Sequence, residues 1–420
     1  MVELNRILEG HRLGMINDFN LVPRICFGIG TANKVGELAK EIAKNTSSII
    51  ITDKVLTEIG LIEVSKKSLE NAGFTVDVDE SNEIEPTINE LKRVIDVVRK
   101  KDYGIVVGIG GGSAMDRAKA AAVMGETPGE IEEYLLPSVK PLKGSKPKLL
   151  VPTTAGTGSE CSSGLVVIVP DKEVGAVKTF IAGSQCFADV AVIDPSLHVG
   201  CPPRVTAGSG VDALAHAAES VLCLGDNPFS DSLALKAIDL VSYNLRTAIH
   251  QGNNIEARWS MCWAAVLGGI VCGLPWTMGP ATPGHITSES ISAKYGFPHG
   301  ESCGLLLPYV YWFNLQDAYG RRKVAKIAKT MGEDLVGLDT KAAAEKAITA
   351  TFNLLEDIGL PTCLKEYNVP ESDIPSLTDF VLNRAINLYG MDNINPVKAN
   401  SNNIRIFLEK AWEGRTSIGL

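Results

Sequence analysis

Along the first half of the chain, short β-branched runs alternate with apolar residues at helical spacing, which predicts strands joined by crossover helices into a parallel sheet. Ser48 to Thr52 is the first such run. Leu56 to Ala72 follows at helical spacing and is expected to stop at Gly73, before a strand that begins at Phe74-Thr75-Val76. Glu85-Pro86-Thr87 opens a helix that carries Leu91, Val94, Ile95 and Val98 on one face and runs to Lys101; Ile105-Val106-Val107 then reads as a buried strand and Ala114 to Met124 as the next helix. Leu149 to Pro152, Leu165 to Val169 and Val190 to Ile193 complete the predicted strands. From Val205 onward helical signals dominate, over Asp212 to Leu222, Ser230 to His250, Ile255 to Cys272, Gly320 to Met331, Lys341 to Ile358 and Asn402 to Gly414.

That change of pattern places a domain boundary near Cys201-Pro202-Pro203. Residues 1–203 are expected to form an α/β domain, with 1–20 as an extension that has little core of its own, and 204–420 an all-helical domain. The length of 420 residues agrees, being too great for one hydrophobic core and suited to two of roughly 200 residues each. With 45% hydrophobic and 21% charged residues the chain has an ordinary globular composition. A net charge of -9, with Lys and Arg scattered singly or in pairs, argues against nucleic acid as a partner.

The most apolar stretch, Cys262 to Trp276, is about 15 residues long and broken by Gly268, Gly269, Gly273 and Pro275, so a buried helix is expected rather than a membrane span. No apolar run follows the start Met1-Val2-Glu3-Leu4-Asn5-Arg6, so a secretory signal is not expected and the cytoplasm is. Nine cysteines, an odd number without a Cys-x-x-Cys pair, imply a reducing compartment rather than a disulfide framework.

Chemistry concentrates in four places. Gly108-Ile109-Gly110-Gly111-Gly112-Ser113 lies between a predicted strand and a predicted helix, where bare backbone and a helix N-terminus can cradle a pyrophosphate; the same glycines also suit a simple tight turn. Thr153-Thr154-Ala155-Gly156-Thr157-Gly158-Ser159-Glu160 follows another strand and offers hydroxyls to a nucleotide at the sheet's carboxyl edge, or forms a capped surface loop. Asp53 ends the first strand; a carboxylate there can hold a ribose and would repel a 2'-phosphate, but by position alone it is a helix N-cap. Asp212 and His216 stand at i, i+4 on one helix face, and His285 and His299 come later, so three of the chain's six histidines join one carboxylate in a set that suits a divalent cation. Each histidine taken singly reads first as a structural residue, and only the set taken together points to a metal.

Together these segments resemble the iron-containing (group III) alcohol dehydrogenases, related in fold to glycerol dehydrogenase and dehydroquinate synthase. The resemblance runs from Phe27-Gly28-Ile29-Gly30 through Gly110-Gly111-Gly112-Ser113-Ala114-Met115-Asp116-Arg117-Ala118-Lys119, the Thr153 to Glu160 loop and Asp194-Pro195. It continues through Gly210-Val211-Asp212-Ala213-Leu214-Ala215-His216, Asn227-Pro228-Phe229-Ser230-Asp231 and Pro298-His299-Gly300. It implies an N-terminal dinucleotide-binding domain with a parallel sheet, an all-helical C-terminal domain and an active site in the cleft between them. It further implies NAD held by Asp53, Gly110, Gly111, Gly112, Ser113, Asp116, Thr153, Thr154, Thr157 and Lys178, and a divalent metal held by Asp212, His216, His285 and His299. Iron(II) is the metal of the family's habit, and zinc(II) the alternative.

One position departs from the family's pattern. Where a further histidine is usual, four residues after His285, this chain has Glu289, which could become a fifth ligand, relay a proton or pair with a polar or cationic group. The expected activity is the interconversion of a small alcohol and its aldehyde or ketone by metal-assisted hydride transfer to or from NAD. The alternatives are a zinc enzyme of the glycerol dehydrogenase or dehydroquinate synthase type and a non-catalytic NAD- and metal-binding protein. Cys161, Trp276, Glu289 and Phe297 lie near the motifs as candidate pocket residues, although each taken singly reads first as ordinary packing, and a homo-oligomer is expected.

Overall fold

The computed structural model describes residues 23–419 except 84, 139, 226 and 275–281, so the N-terminal extension and Trp276 lie outside the described residues. By internal contacts the chain divides into two compact units, one of residues Val22–Ser209 with Thr247–Gly269 and the other of Gly210–Arg246 with Ile270–Leu420.

In the first unit the strands β1 (Arg24–Phe27), β2 (Ser47–Asp53), β3 (Thr75–Ser81), β4 (Ile105–Gly110), β5 (Lys148–Pro152) and β8 (Val190–Ile193) form one sheet in the order β1-β8-β5-β4-β2-β3. Every pairing is parallel, with Ile50 opposite Val107 and Gly108 opposite Leu150. Parallel strands joined by helices are covered on both faces, and β4 and β5 are accordingly buried throughout. Ile50, Val107, Ile109, Val151 and Val192 point into one core with Val35 and Leu38 of α1 (Val35–Ile42) and Leu69 of α2 (Glu63–Asn71). Ile49, Ile51, Val106 and Leu150 alternate with them into a second core, against Val94 and Val98 of α3 (Ile88–Lys100) and Met115, Ala118 and Ala121 of α4 (Gly112–Glu126).

Two expectations are corrected. The segment from Leu56 to Ala72 is not one helix: it divides into Lys54–Glu58 and α2, because the chain turns at Gly60 with φ +72°, a conformation that ends a right-handed helix. The run from Leu165 to Val169 does form a strand, β6 (Gly164–Asp171), but it stays out of the parallel sheet and pairs antiparallel with β7 (Gly175–Ala182).

Three helices cross from one unit to the other: α5 (Pro203–Leu222), α6 (Pro228–His250) and α7 (Ile255–Cys272). By length and composition α7 is apolar enough to cross a bilayer, but over half of it is buried within the protein, and its Trp263 ring stacks on Phe27 with centroids 4.1 Å apart. The second unit continues with α8 (Pro283–Tyr295), α9 (His299–Asn314), α10 (Ala318–Thr330), α11 (Thr340–Asp357), α12 (Ile374–Asn383) and α13 (Ser401–Glu413). Buried residues lie on nearly all sides of α9, including Leu305, Leu306, Leu307, Tyr309, Val310 and Phe313. Such a helix carries no amphipathic period, and this is why the sequence pattern missed it.

Candidate functional sites

Two sites take shape, one in each unit. In the first unit the strand order reverses between β2 and β4, the kind of switch point where open parallel sheets hold ligands at the carboxyl ends of their strands. β2 ends there at Asp53 and β4 at Gly110. A Cβ built on Gly110 would come within 2.6 Å of the Ala114 Cβ and 3.2 Å of Asp53 Oδ2; one on Gly111 would lie 3.4 Å from Thr154 Oγ1, and one on Gly112 would lie 2.6 Å from Thr157 Cγ2. The glycines therefore bring three separate stretches of sequence into contact. Gly110 also has φ +150°, Gly111 is the N-cap of α4, and the Thr153 N–H donates to the Gly110 carbonyl at 2.9 Å. Ser113 opens α4 beside them.

Other residues expected at this site are already engaged within the protein. Asp53 occupies the N-cap position of the short helix but makes no capping bond; its carboxylate pairs instead with the buried guanidinium of Arg117. Burial raises the Asp53 pKa, and the Arg117 charge and hydrogen bond work against that rise. Arg117 went unremarked in sequence because a long side chain in a helix gives no sign of lying beneath a strand end. Asp116 accepts from Ser159 Oγ at 2.5 Å and from the Val166 N–H at 3.0 Å, and so braces α4 against the second loop and β6. Lys178 is buried on β7, with its Nζ 2.9 Å from Glu85 Oε2.

In the second unit, α5 carries Asp212 and His216, α8 carries His285 in its first turn, and α9 begins at His299. Ligand atoms of Asp212, His285, His299 and Cys303 all lie within 4.8 Å of one another. His216 adjoins this group without completing it: its Nε2 is 3.9 Å from Asp212 Oδ1, and its ring stacks on that of His285 with centroids 5.0 Å apart. The helices approach closely here because Gly304 faces Val211; an added Cβ would come within 2.5 Å of Val211 Cγ2.

The polar surroundings fit a cation. Asp212 Oδ1 and His285 Nε2 are buried with no hydrogen-bond partner, a costly state that a metal ion would relieve. Burial lowers the His216 pKa, which favours the neutral, ligating imidazole. Glu219, one turn beyond His216, meets His285 Nδ1 at 2.8 Å and also accepts from Thr282 Oγ1. A carboxylate only accepts, so Nδ1 carries a proton, and in the neutral ring Nε2 offers its lone pair to a ligand. The sequence holds a signal for Glu219, since Asp212, His216 and Glu219 stand at i, i+4 and i+7 on one helix face. Ser288 Oγ lies 3.0 Å from His299 Nδ1, and as a hydroxyl it can accept from that nitrogen or donate to it.

Glu289 is not in the converging group. Its carboxylate accepts from Arg384 Nη2 at 2.9 Å and from the Tyr389 hydroxyl, and the same Arg384 nitrogen donates to the Tyr389 oxygen at 2.9 Å. Burial raises the Glu289 pKa while Arg384 and Tyr389 hold it down. Arg384 opens a π-helical turn, Arg384–Leu388, a geometry frequent at functional sites. Of the other candidate pocket residues, Cys161 is buried, and Phe297 stacks on Tyr367 at 4.2 Å.

Comparison with known proteins settles the family. Residues 23–195 match the model of the iron-containing alcohol dehydrogenases, and residues 206–412 match that family's C-terminal domain. The chain belongs to the iron-containing alcohol dehydrogenase family. It is 32% identical over 398 residues to the 1,3-propanediol dehydrogenase of Klebsiella pneumoniae, a match that covers 93% of this chain and 98% of that protein. A crystal structure of 1,3-propanediol oxidoreductase is similar to it with a TM-score of 0.86 at 31% identity, over 95% of this chain and all of the other. Sulfoacetaldehyde reductase from Bifidobacterium kashiwanohense, solved in complex with NAD+, is similar with a TM-score of 0.80 at 32% identity, over 95% and 99% of the two chains. As a member of this family the protein is an NAD-dependent, metal-containing alcohol dehydrogenase that interconverts an alcohol and its aldehyde or ketone. Its cofactors are NAD and a divalent metal, which the family's name gives as iron.

Proposed function

We propose that Asp212, His216, His285 and His299 hold the divalent metal, and that Gly110, Gly111, Gly112, Ser113, Thr153, Thr154 and Thr157 cradle NAD, with Asp53 accepting from the adenosine ribose. The observation that carries the reading is the convergence of Asp212, His285 and His299 from three helices, with Asp212 Oδ1 and His285 Nε2 buried and unpaired. When bound, the cation supplies Lewis-acid stabilisation of charge on the alcohol or carbonyl oxygen, and NAD exchanges the hydride.

The chain's own contribution is positioning. Glu219 fixes the tautomer and orientation of His285, and Ser288 engages His299. Burial around His216 and His285 excludes water and strengthens each electrostatic contact. Glu289, anchored by Arg384 and Tyr389, modulates the proton path from one turn beyond His285. Asp116 and Lys178 act on the nucleotide through the loops they brace.

We place the protein in the cytoplasm as a homo-oligomer acting on a small alcohol, in keeping with its nine cysteines and with relatives named for short, polar-substituted substrates. We propose 1–203 and 204–420 as the working domains, with breaks close to those of the two family matches.

The test is NADH formation from a panel of small alcohols by anaerobically purified protein reconstituted separately with Fe(II) and Zn(II), beside His285→Ala. Metal-dependent turnover lost in the variant supports the assignment. Undiminished turnover in His285→Ala rejects it, and NAD and metal binding without turnover in either direction favours a purely binding role.

A further inference from the structure

At the carboxyl end of β2 the two residue types that tell one nicotinamide cofactor from the other stand together. A carboxylate at such a strand end accepts from the ribose hydroxyls of NAD, whereas an arginine nearby takes the 2'-phosphate of NADP. Here Asp53 supplies the first and Arg117, on α4, the second. Arg117 is fully buried: its Nη1 donates to the Glu83 carbonyl at 3.1 Å, and its Nη2 to the Thr52 carbonyl at 3.4 Å and to Asp53 Oδ1. Among the described residues Asp53 is the one carboxylate that hydrogen-bonds this cation. Glu90 also feels its charge but is held by the Nε and Nη2 of Arg93. Asp53 Oδ2 lies beside the glycine loop, 3.2 Å from a Cβ built on Gly110, and the side chain stays 25% exposed.

We propose that Arg117 sets the cofactor selectivity of this dehydrogenase: paired with Asp53, it cancels the charge that would exclude a 2'-phosphate, so that the site takes NADP as well as NAD. The inference rests on the placement of Asp53 at the adenosine ribose proposed above. A lone carboxylate against a phosphate is a like-charge contact that costs affinity about a hundredfold or more. The guanidinium, a permanent cation buried against Asp53, offsets that repulsion with little screening by solvent. With Oδ1 engaged, Oδ2 is the oxygen left for the ribose, and the two-oxygen grip by which an unpaired aspartate favours NAD is weakened. Hydride transfer is unaffected, because both cofactors carry the same nicotinamide.

Calorimetric titration of the intact, metal-loaded protein with NAD and with NADP tests this without turnover. The wild type should bind NADP within about tenfold of NAD, and a deficit of about a hundredfold or more overturns the inference whether or not any variant folds. Asp53→Asn leaves the cation without its counter-ion and should favour NADP over NAD about ten- to a hundredfold, the scale of a charged hydrogen bond. Asp53→Asn/Arg117→Met removes the pair together, strands no charge and should lose that advantage. Equal NADP affinity in the single and double variants shows that the pair only braces the strand end, and overturns the inference. Asp53→Asn also separates the two levels. If it changes the affinity for neither cofactor, the placement of the ribose at Asp53 fails; if it admits NADP where the wild type excludes it, that placement stands and only the role of Arg117 fails.

Discussion

Glu219 and His285 stand 66 residues apart in sequence, yet the Nδ1 of one meets the carboxylate of the other at 2.8 Å with both side chains buried. Because that contact fixes which ring nitrogen faces the ligand set, Glu219→Gln should weaken metal affinity about 10- to 100-fold and lower kcat/KM in proportion. Metal titration of the apo-protein checks this, and unaltered affinity would show that His285 is held by its packing alone. Glu219→Ala should be worse, since Thr282 would lose its partner too.

The close approach of Gly304 to Val211 is what places Cys303 and His299 beside Asp212. Gly304→Ala would put a Cβ within 2.5 Å of a Val211 methyl, an overlap that costs about 1–3 kcal/mol and moves the helices apart. Metal affinity should fall with stability. Adding Val211→Ala makes room for the new methyl, so the double variant should recover much of both. Thermal melting and metal content of the single and double variants decide the point; no recovery would mean that Gly304 matters for some other reason.

Glu289, Arg384 and Tyr389 form a buried ionic cluster in which each member satisfies another. Removing the cation alone strands a carboxylate, so Arg384→Met should destabilise the fold by about 3–5 kcal/mol, whereas Glu289→Met/Arg384→Met should cost markedly less. Chemical denaturation of the three proteins gives the comparison. The pH–rate profile of Glu289→Gln speaks separately to the proton path, and a profile that matches the wild type would remove Glu289 from it.

Burial raises the Glu160 pKa to about 7, with a backbone hydrogen bond and the Lys119 charge only partly offsetting it. The folded state therefore holds a proton that the unfolded state releases near pH 4.5. Between those values the folded protein binds more protons, and stability falls as pH rises, by at most about 1.4 kcal/mol per unit from this group. Glu160→Gln should flatten the decline of melting temperature between pH 5 and 7 and leave the protein more stable than the wild type at neutral pH. An identical slope in both proteins would mean that the carboxyl is already charged in the fold.

The sequence by itself determined a great deal. Alternating β-branched runs and helical stretches specified the parallel sheet, because a strand buried on both faces must be apolar throughout and its crossover must be long enough to return. Gly110 to Ser113 could be read as a phosphate loop since only bare backbone fits where Asp53, Thr154 and Thr157 crowd in. The pair Asp212 and His216 was legible because both lie one turn apart on one helix.

What lies far apart in sequence waited for the fold. That Asp53 Oδ1 pairs with Arg117, that Glu219 orients His285, that Glu289 is paired with Arg384 and that Asp212, His285 and His299 converge are all contacts between elements. Helices such as α9, buried on nearly every side, carry no periodic pattern to announce which residues face one another. Local propensity sets the elements of this chain, and long-range packing decides which side chains share a site.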